Sequence, residues 1–402
     1  MDDLRKNVRG AWLAVADPAM ALRRELHAWP ELGYQEIETT RRITGFLQSH
    51  GIACETFGNL TGAVALIDGG KPITAGLRVD IDALPVTENT GVSWSSKNTG
   101  VMHACGHDMH ASIGASVAVL LERLKDGLPC NVKIIFQPAE ECSPRGGARD
   151  MKDLGVLGNP EVSCLLGLHV WPEYPLGEIG IHKGPMMASS DKFTITVEGV
   201  SCHAAQPHKG VDAILAASDI ITAAYKVLPR TLDVWRQYVL TIGEIASRGR
   251  YNIVCDHVEM AGTLRTFQEE TRQHVRHWLA ETVEKLPALY GGKGTLFFDP
   301  GYDAVVNHPE LARVFAQHAR NLLGAAAVHE SDPPSLIAED FSVLGKEVPS
   351  AYFHLGCGCA HSLHSEQFLA AEETLPIGVE LVSAFFLSGD FAGFIQQYEK
   401  IE

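Results

Sequence analysis

The densest group of reactive side chains in this sequence lies between residues 102 and 110, where the chain reads MHACGHDMH. Three imidazoles, a thiol and a carboxylate occur in this run, and all of these groups bind divalent transition metals. Gly106 separates Cys105 from His107, so the backbone can bend and direct both donors at one ion. The alternative is a buried thiol beside surface histidines, but the density of ligands favours a metal site.

The apolar pattern around this run predicts the elements that position it. Small and apolar residues at helical spacing follow from Ala111 to Lys125, and Asp108 is the expected N-cap of that helix. Upstream, Ala75 to Asp82 is predicted to be a buried strand that ends in two acidic residues, Asp80 and Asp82. The cluster is therefore expected in a loop at a helix N-terminus.

Two further apolar strands end in groups that can bind a metal. Asn131 to Phe136 leads into the run QPAEE at 137–141, and Cys164 to Leu168 leads into His169. Of two adjacent glutamates after a strand, one can bind a metal while the other accepts a proton from activated water. A solvated acidic pair and a satisfied core histidine are the alternatives. Polar groups at successive strand ends are typical of an open α/β sheet with its site beyond the carboxyl ends.

From about residue 188 the pattern changes to half-exposed strands and amphipathic helices. The predicted order is β-α-β-β-α-β, which is ferredoxin-like. We therefore predict a catalytic domain formed by residues 1–187 and 301–402, with residues 188–300 inserted as a second domain. The predicted elements of the insertion are Asp191–Val200, Val211–Leu228, Tyr238–Ser247, Asn252–Phe267, Glu269–Leu286 and Gly294–Asp299.

Composition excludes several classes of function. The 402 residues are 46% hydrophobic and 20% charged, as in ordinary globular proteins, and their number favours two domains. A formal net charge of −16 argues against nucleic acid or anionic lipid as a partner. No apolar run reaches the ~20 residues that span a bilayer. Nine scattered cysteines and an N-terminus without an apolar segment predict a cytoplasmic protein with reduced thiols and no membrane partner.

Eight motifs in chain order carry a resemblance to a known family. They are HAWPEL at 27–32, RVDIDALP at 78–85, HACGHDMH at 103–110, QPAEE at 137–141, GLHVWP at 167–172, SCHAAQPH at 201–208, GTLR at 262–265 and AEDF at 338–341. The set resembles the dinuclear-metal amidohydrolase and carboxypeptidase family of hippurate hydrolase, N-acyl-amino-acid aminoacylases, plant auxin-conjugate hydrolases and N-acetyldiaminopimelate deacetylase. The resemblance implies a zinc-peptidase-like α/β domain, an open mixed sheet flanked by helices, with an inserted ferredoxin-like α+β domain for dimerisation and as a lid.

The resemblance also implies a set of metal ligands. Two divalent ions per subunit, drawn from Zn, Mn, Co and Ni, would be held by Cys105, His107, Glu141, His169 and His364. Glu140 would be the general base and acid, and Cys105 would take the bridging position. Asp82 would accept a hydrogen bond that fixes a ligand imidazole, or else cap its strand. His354 and His361 are neighbouring candidates for the last ligand, and spacing does not choose among them.

The inserted domain contributes three more residues by resemblance. His203 would stabilise the oxyanion, commonly from the partner subunit of a homodimer or a dimer of dimers, whereas an unremarkable loop histidine is the alternative. Asn252 and Arg265 would bind the substrate carboxylate, although Arg265 also fits a cross-strand ion pair. Glu366 and Cys255 stand where many relatives carry proline, which affects substrate identity more than the reaction.

The resulting prediction is metal-dependent hydrolysis of the amide bond of small N-acyl amino acids, of hippurate or N-acetyl type. A dipeptidase or carboxypeptidase of the same family, or an N-acetyldiaminopimelate-type deacetylase, is the nearest alternative. Two other classes stay open: a non-catalytic metal-binding protein, and a hydrolase that uses Cys105 as a thiol nucleophile.

Overall fold

The computed structural model describes residues 2–398, and its chain divides into two compact units. The first unit consists of the chain up to Met186, Val306–Pro334 and the chain from Asp340 onward. The second unit consists of Met187–Val305 and Ser335–Glu339. The domain boundaries given above stay a prediction.

Helices and strands alternate along most of the described chain. The helices are α1 (Asp2–Leu13), α2 (Ala16–Ala28), α3 (Ile37–Ser49), α4 (His107–Arg123), α5 (Gly147–Asp153), α6 (Ala213–Lys226), α7 (Glu269–Leu289), α8 (Pro309–Leu323), α9 (Phe341–Gly345), α10 (Thr374–Phe386) and α11 (Gly389–Tyr398). The strands are β1 (Cys54–Thr56), β2 (Ala63–Ile67), β3 (Thr74–Asp80), β4 (Asn131–Gln137), β5 (Val162–Trp171), β6 (Ile179–Gly180), β7 (Pro185–Met187), β8 (Asp191–Glu198), β9 (Tyr238–Ser247), β10 (His257–Thr266), β11 (Lys293–Phe298), β12 (Val305–Val306), β13 (Val328–His329) and β14 (Ser350–Gly356).

The first unit is built on a mixed sheet of eight strands in the described chain, in the order β1-β2-β4-β3-β5-β14-β6-β13. Its centre is parallel: β4, β3, β5 and β14 run side by side in one direction. Every residue of β3, β4 and β14 is buried, as expected for parallel strands covered on both faces. Helix α4 packs on β3 and contacts α2 and α10, so helices flank the sheet as predicted.

The second unit has the predicted β-α-β-β-α-β order, with an antiparallel sheet in the order β11-β8-β10-β9. Alternate residues of β8 are buried, and its apolar face packs with α6 and α7 into a separate core. Strand β9 lies at an edge of this sheet, and most of its side chains are exposed.

Three local predictions differ from the structure. Asp108 is not an N-cap: α4 begins at His107, after Gly106, and the Asp108 carboxylate is buried against Arg23 Nε at 3.0 Å and His27 Nδ1 at 2.9 Å. These cationic partners hold a carboxylate more strongly than helix amides do. His169 lies inside β5, two residues before its end, because the strand pairs with β14 as far as Trp171.

The third difference concerns the strand predicted to begin at residue 252. Strand β10 begins only at His257, because the preceding segment pairs instead with the loop that carries His203. Val254 N donates to Cys202 O at 2.9 Å, and Ala204 N donates to Asn252 O at 3.1 Å.

Within residues 2–398, no single helix is long and apolar enough to cross a membrane. A bent pair formed by Thr374–Phe386 and Gly389–Gln397 reaches the required length and composition only when its two helices are taken together. The cytoplasmic location stays a prediction.

Candidate metal centre

Acidic and histidine side chains lie at, near or beyond the carboxyl ends of the four parallel strands at the centre of the large sheet. Asp80 is the last residue of β3 and Asp82 follows it, Glu140 and Glu141 follow β4, and His169 lies near the end of β5. His364 comes eight residues after β14 ends. Because neighbouring parallel strands end at one edge of a sheet, donors that are far apart in sequence meet there.

Two groups of donors share Cys105. The ligand atoms of Cys105, His107 and His169 lie within 4.8 Å of one another, and so do those of Cys105, Glu141 and His364. The Cys105 Sγ lies 3.3 Å from His169 Nε2, and His364 Nε2 lies 3.2 Å from Glu141 Oε1. The five residues that sequence reasoning named therefore form two adjoining groups with one thiol in common.

Backbone geometry directs two of these donors. Gly106 has φ +84°, and a Cβ there would lie 2.4 Å from Val170 Cγ2, so this position needs glycine between Cys105 and His107. His364 has φ +65°, and its amide donates to Ala104 O at 2.8 Å, which ties the last donor to the loop that carries the first.

The structure separates His364 from its two competitors. The ring of His354 stacks on Trp171, with 3.7 Å between ring centroids and 2° between planes, and it is buried within β14. His361 is exposed and belongs to none of the donor groups found in the described chain. Of the three histidines, His364 alone joins Glu141 and Cys105.

Asp82 connects two ligand-bearing segments. Its Oδ1 lies 3.1 Å from His107 Nδ1, and its Oδ2 accepts from the Glu141 amide at 3.0 Å. A proton on Nδ1 satisfies the first contact, and in the neutral ring Nε2 of His107 would then be the ligand atom. Asp82 therefore makes the contact to an imidazole that the resemblance assigned to it, and it also holds the glutamate turn.

The site is electrostatically poised for a cation. Burial alone lowers the pKa of His107, but the charge of Asp80 and the hydrogen bond and charge of Asp82 outweigh burial and raise it to about 10. The buried His107 Nε2 has no hydrogen-bond partner among the residues that the structure describes. A buried imidazole nitrogen that lies beside carboxylates without a hydrogen bond fits a divalent metal, which would replace its proton and offset the negative charge.

The thiol environment agrees with this assignment. Burial raises the pKa of Cys105 well above its usual range, and the charges of Glu141 and Glu140 raise it further. Burial holds the pKa of His169 well below its usual range, so its ring is neutral. Burial and the two carboxylates therefore disfavour a free thiolate at Cys105, whereas thiols used as nucleophiles sit in electropositive surroundings.

Glu140 projects from a strained turn. Ala139, just before it, has φ +56°, a conformation that costs energy for a residue with a Cβ. The Ala139 amide donates to buried Glu36 Oε1 at 2.8 Å, which holds this turn. Burial raises the pKa of Glu36 to about 7, and the charge of Asp82 contributes in the same direction. The ligand atoms of Glu140, Glu141 and His107 lie within 4.8 Å of one another, so Glu140 borders the donor groups.

Sequence reasoning missed a buried polar network under the site. The Arg78 guanidinium donates to Gln137 Oε1 at 2.8 Å, to Asp80 Oδ2 at 2.7 Å and to Asp340 Oδ1 at 2.7 Å. The Asp340 amide donates to Glu140 Oε1 at 3.4 Å, which connects the network to Glu140. The available signal was an arginine inside an apolar, fully buried strand, since a buried charge needs a partner.

The remaining predicted residues belong to the second unit. His203 is exposed, and its Nδ1 accepts from the Ala205 amide at 3.1 Å. Asn252 is exposed on the segment paired with the His203 loop. Arg265 lies on β10 opposite Val239 and donates to Ser190 Oγ at 2.7 Å, so the residue opposite it on β9 is apolar rather than acidic. The roles assigned to these three residues stay predictions.

Comparison with known proteins identifies relatives along the whole chain. Thermostable carboxypeptidase 1 of Saccharolobus solfataricus is 35% identical over 384 residues, which cover 94% of this chain and 96% of that protein. N-acetylcysteine deacetylase of Bacillus subtilis is 36% identical over 359 residues, which cover 89% of this chain and 92% of that protein.

A solved structure and a family model agree with these relatives. The Bacillus subtilis YXEP protein, a dinuclear metal binding peptidase from the M20 family, matches with a TM-score of 0.82 and 32% identity. The match covers 93% of this chain and 98% of that one. The family model for peptidase family M20/M25/M40 matches residues 76–388. These findings confirm the resemblance inferred from the motifs and the predicted fold class, and the chain belongs to peptidase family M20/M25/M40.

Proposed function

We propose that this chain hydrolyses the amide bond of N-acyl amino acids with two divalent ions, drawn from Zn, Mn, Co and Ni. As a member of its family the chain is a metal-dependent hydrolase; the substrate class and the ligand roles are the proposal. The observation that carries it is the pair of donor groups joined at Cys105. Cys105, His107 and His169 would hold one ion, and Cys105, Glu141 and His364 the other.

Bound divalent ions would supply Lewis-acid activation of water and of the amide carbonyl at neutral pH. Glu140 would carry out the proton transfer. Its carboxylate borders both donor groups, and neither group needs it as a ligand. It would take a proton from the attacking water and deliver it to the nitrogen of the leaving amino acid. The strained Ala139 turn and the Asp340 amide restrict where that carboxylate points.

The second unit would act on the rest of the substrate. The Nδ1 of His203 accepts a main-chain hydrogen bond, so in the neutral ring Nε2 carries the proton and can donate to a developing oxyanion. The cationic side chain of Arg265 and the amide of Asn252 would bind the free carboxylate of the amino acid.

A homodimer through the second unit belongs to the same proposal. Strand β9 is an edge strand with exposed apolar residues, among them Val239 and Ile245, and such edges pair readily with a second copy. Light scattering on a size-exclusion column gives the mass directly. A fully active monomer would refute this part.

The carboxypeptidase alternative differs only in the bond that is cut. Relatives of both kinds are similar to this chain to the same degree: the Bacillus subtilis deacetylase is 36% identical and the Saccharolobus carboxypeptidase is 35% identical. Comparing kcat/KM for N-acetyl, N-benzoyl, N-succinyl and indole-acetyl amino acids with that for free-amine dipeptides, after loading each metal in turn, distinguishes them. Higher kcat/KM for the dipeptides than for every N-acyl compound would overturn the proposed substrate class.

The catalytic role of Glu140 has a direct test. In Glu140→Gln the side chain keeps its shape but cannot accept the proton, so we expect normal metal content and a fall in kcat of about 100-fold or more. Glu380→Gln is the matched control, because this carboxylate pairs with Arg5 outside the donor groups and should leave kcat unchanged. A Glu140→Gln protein that binds metal and turns over like the parent would exclude the assignment.

A further inference from the structure

His110 lies in the same motif as Cys105 and His107, yet both of its ring nitrogens are occupied by protein atoms. Its Nδ1 lies 2.5 Å from Asp80 Oδ1, and the Val170 amide donates to its Nε2 at 2.8 Å. Because an amide can only donate, Nε2 carries no proton, and the ring proton sits on Nδ1, where it donates to Asp80. Although His110, His107 and Asp80 are close enough to bind an ion together, His110 offers no free lone pair.

The Val170 amide has a reason to need this acceptor. Strand β3 pairs with β5 only as far as Arg78 opposite Gly167, so Val170 lies beyond the last paired residues on that side. A buried amide without an acceptor destabilises the fold, and the His110 imidazole takes the place of the missing strand. The His110 ring is itself held in place. It donates to Asp80, and the Arg78 guanidinium holds Asp80 by donating to its Oδ2 at 2.7 Å.

The same residue, Val170, also sets the tautomer of the His169 ring. The carbonyl oxygen of Val170 lies 2.6 Å from His169 Nδ1 and accepts its proton, which leaves Nε2 as the lone pair that faces Cys105 Sγ at 3.3 Å. The His110 ring also packs edge-on against the His169 ring, with 4.6 Å between centroids. His110 thus restrains His169 through the backbone and through its ring.

We propose that His110 is a positioning residue that fixes the Val170 backbone and thereby the tautomer and direction of the ligand His169. The inference rests on the proposed function, since it takes His169 as a metal ligand. The inference predicts that metal affinity depends on the hydrogen bond from the Val170 amide to His110 Nε2. It also predicts that His110 does not bind the metal directly.

Two amide substitutions separate the two ring nitrogens. The terminal amide of Gln reaches the place of Nε2 and can still accept from Val170, whereas the amide of Asn reaches the place of Nδ1 and can only replace the donation to Asp80. We expect His110→Gln to hold both ions nearly as tightly as the parent. We expect His110→Asn to bind one of the two ions about 10- to 100-fold more weakly, the usual effect of losing a partner that orients a ligand.

The readouts are competition with a chromophoric chelator, which gives each dissociation constant, the visible absorption of the Co²⁺-loaded proteins and the thermal midpoint of the metal-free proteins. His103 supplies the control: it is equally buried in the same motif, and neither of its ring nitrogens has a hydrogen-bond partner in the described part of the chain. Its Asn and Gln variants should therefore bind metal alike. The Co²⁺ spectrum of His110→Asn should change while that of His110→Gln stays close to the parent.

Each outcome decides between explanations. Equal losses in His110→Asn and His110→Gln would overturn the inference, because a direct ligand or a merely structural residue predicts equal losses. A Gln variant that binds metal more weakly than the Asn variant would overturn it as well. A parent protein that binds no second ion would overturn the proposed function, and this inference with it, so the two failures are distinguishable.

Discussion

Asp82→Asn tests the centre through a residue that belongs to none of the donor groups found in the described chain. The carboxylate has two oxygens in use, one on His107 Nδ1 at 3.1 Å and one on the Glu141 amide at 3.0 Å. Both partners donate, so both positions need an acceptor. Asparagine supplies one acceptor and one NH₂ group, and that NH₂ group must face an N–H. One hydrogen bond is lost, and the negative charge that orients the imidazole is lost with it.

The size of the effect follows from these contacts. A hydrogen bond to a charged group contributes about 1.5–3 kcal/mol. At about 1.4 kcal/mol per factor of ten, the loss corresponds to roughly 10- to 150-fold. Because the two partners are the ring of one proposed ligand, His107, and the backbone of another, Glu141, we expect this loss in metal affinity: the dissociation constant for Zn²⁺ should rise by that factor.

The measurement is competition with a chromophoric chelator on parent and variant, with circular dichroism to establish that both are folded. Asp150→Asn is the control, since Asp150 accepts from Tyr34 at 2.9 Å and pairs with Arg145 away from the donor groups. Its Zn²⁺ affinity should equal that of the parent. A folded Asp82→Asn protein whose affinity lies within about threefold of the parent would refute the reasoning, because neither contact would then contribute to binding.

Three further predictions follow from single side chains. Cys105→Ser should lose both ions in elemental analysis while its thermal midpoint stays near that of the metal-free parent, since a hydroxyl is a poor ligand for borderline ions; retained metal would contradict this. Gly106→Ala should lower the free energy of unfolding in urea by about 2–4 kcal/mol, because φ +84° and the 2.4 Å approach to Val170 Cγ2 both oppose a Cβ; unchanged stability would be the contrary result. Lys133→Met should cost about 2–4 kcal/mol in the same assay, since its buried ammonium donates to three carbonyls within residues 156–160, and an equally stable variant would disprove that role.

Much of the first unit's architecture follows from apolar patterning. Strands β3 and β4 are buried on both faces and are rich in apolar residues, although each contains one buried charged residue, Arg78 or Lys133. In the second unit, β8 shows the alternation of a half-buried strand. The pattern locates strand cores well and strand ends poorly. Residues 252–254 looked like the start of β10, but their amides and carbonyls pair with the His203 loop, a long-range contact that local periodicity does not encode.

The donors of the centre were named by residue type and motif, but their arrangement depends on contacts across the fold. Sequence spacing does not distinguish His364 from His361 and His354 as the last donor. His364 is identified by two contacts in the fold: its amide donates to Ala104 O, and its ring approaches Glu141. Asp108 looked like a cap because its partner Arg23 lies 85 positions earlier in the chain, where no local rule reaches. Tertiary partners of buried charges are what sequence reasoning lacked.

The place of β14 has a consequence for how this protein is made. This strand comes late in the chain yet lies inside the large sheet, between β5 and β6, and His364 follows it closely. A nascent chain on the ribosome therefore exposes the edge of β5 until residues 350–356 emerge, and an exposed apolar edge invites aggregation. Closing the sheet and completing the donor groups depend on the same late segment, so a chain truncated before Ser350 would lack both β14 and the donor His364.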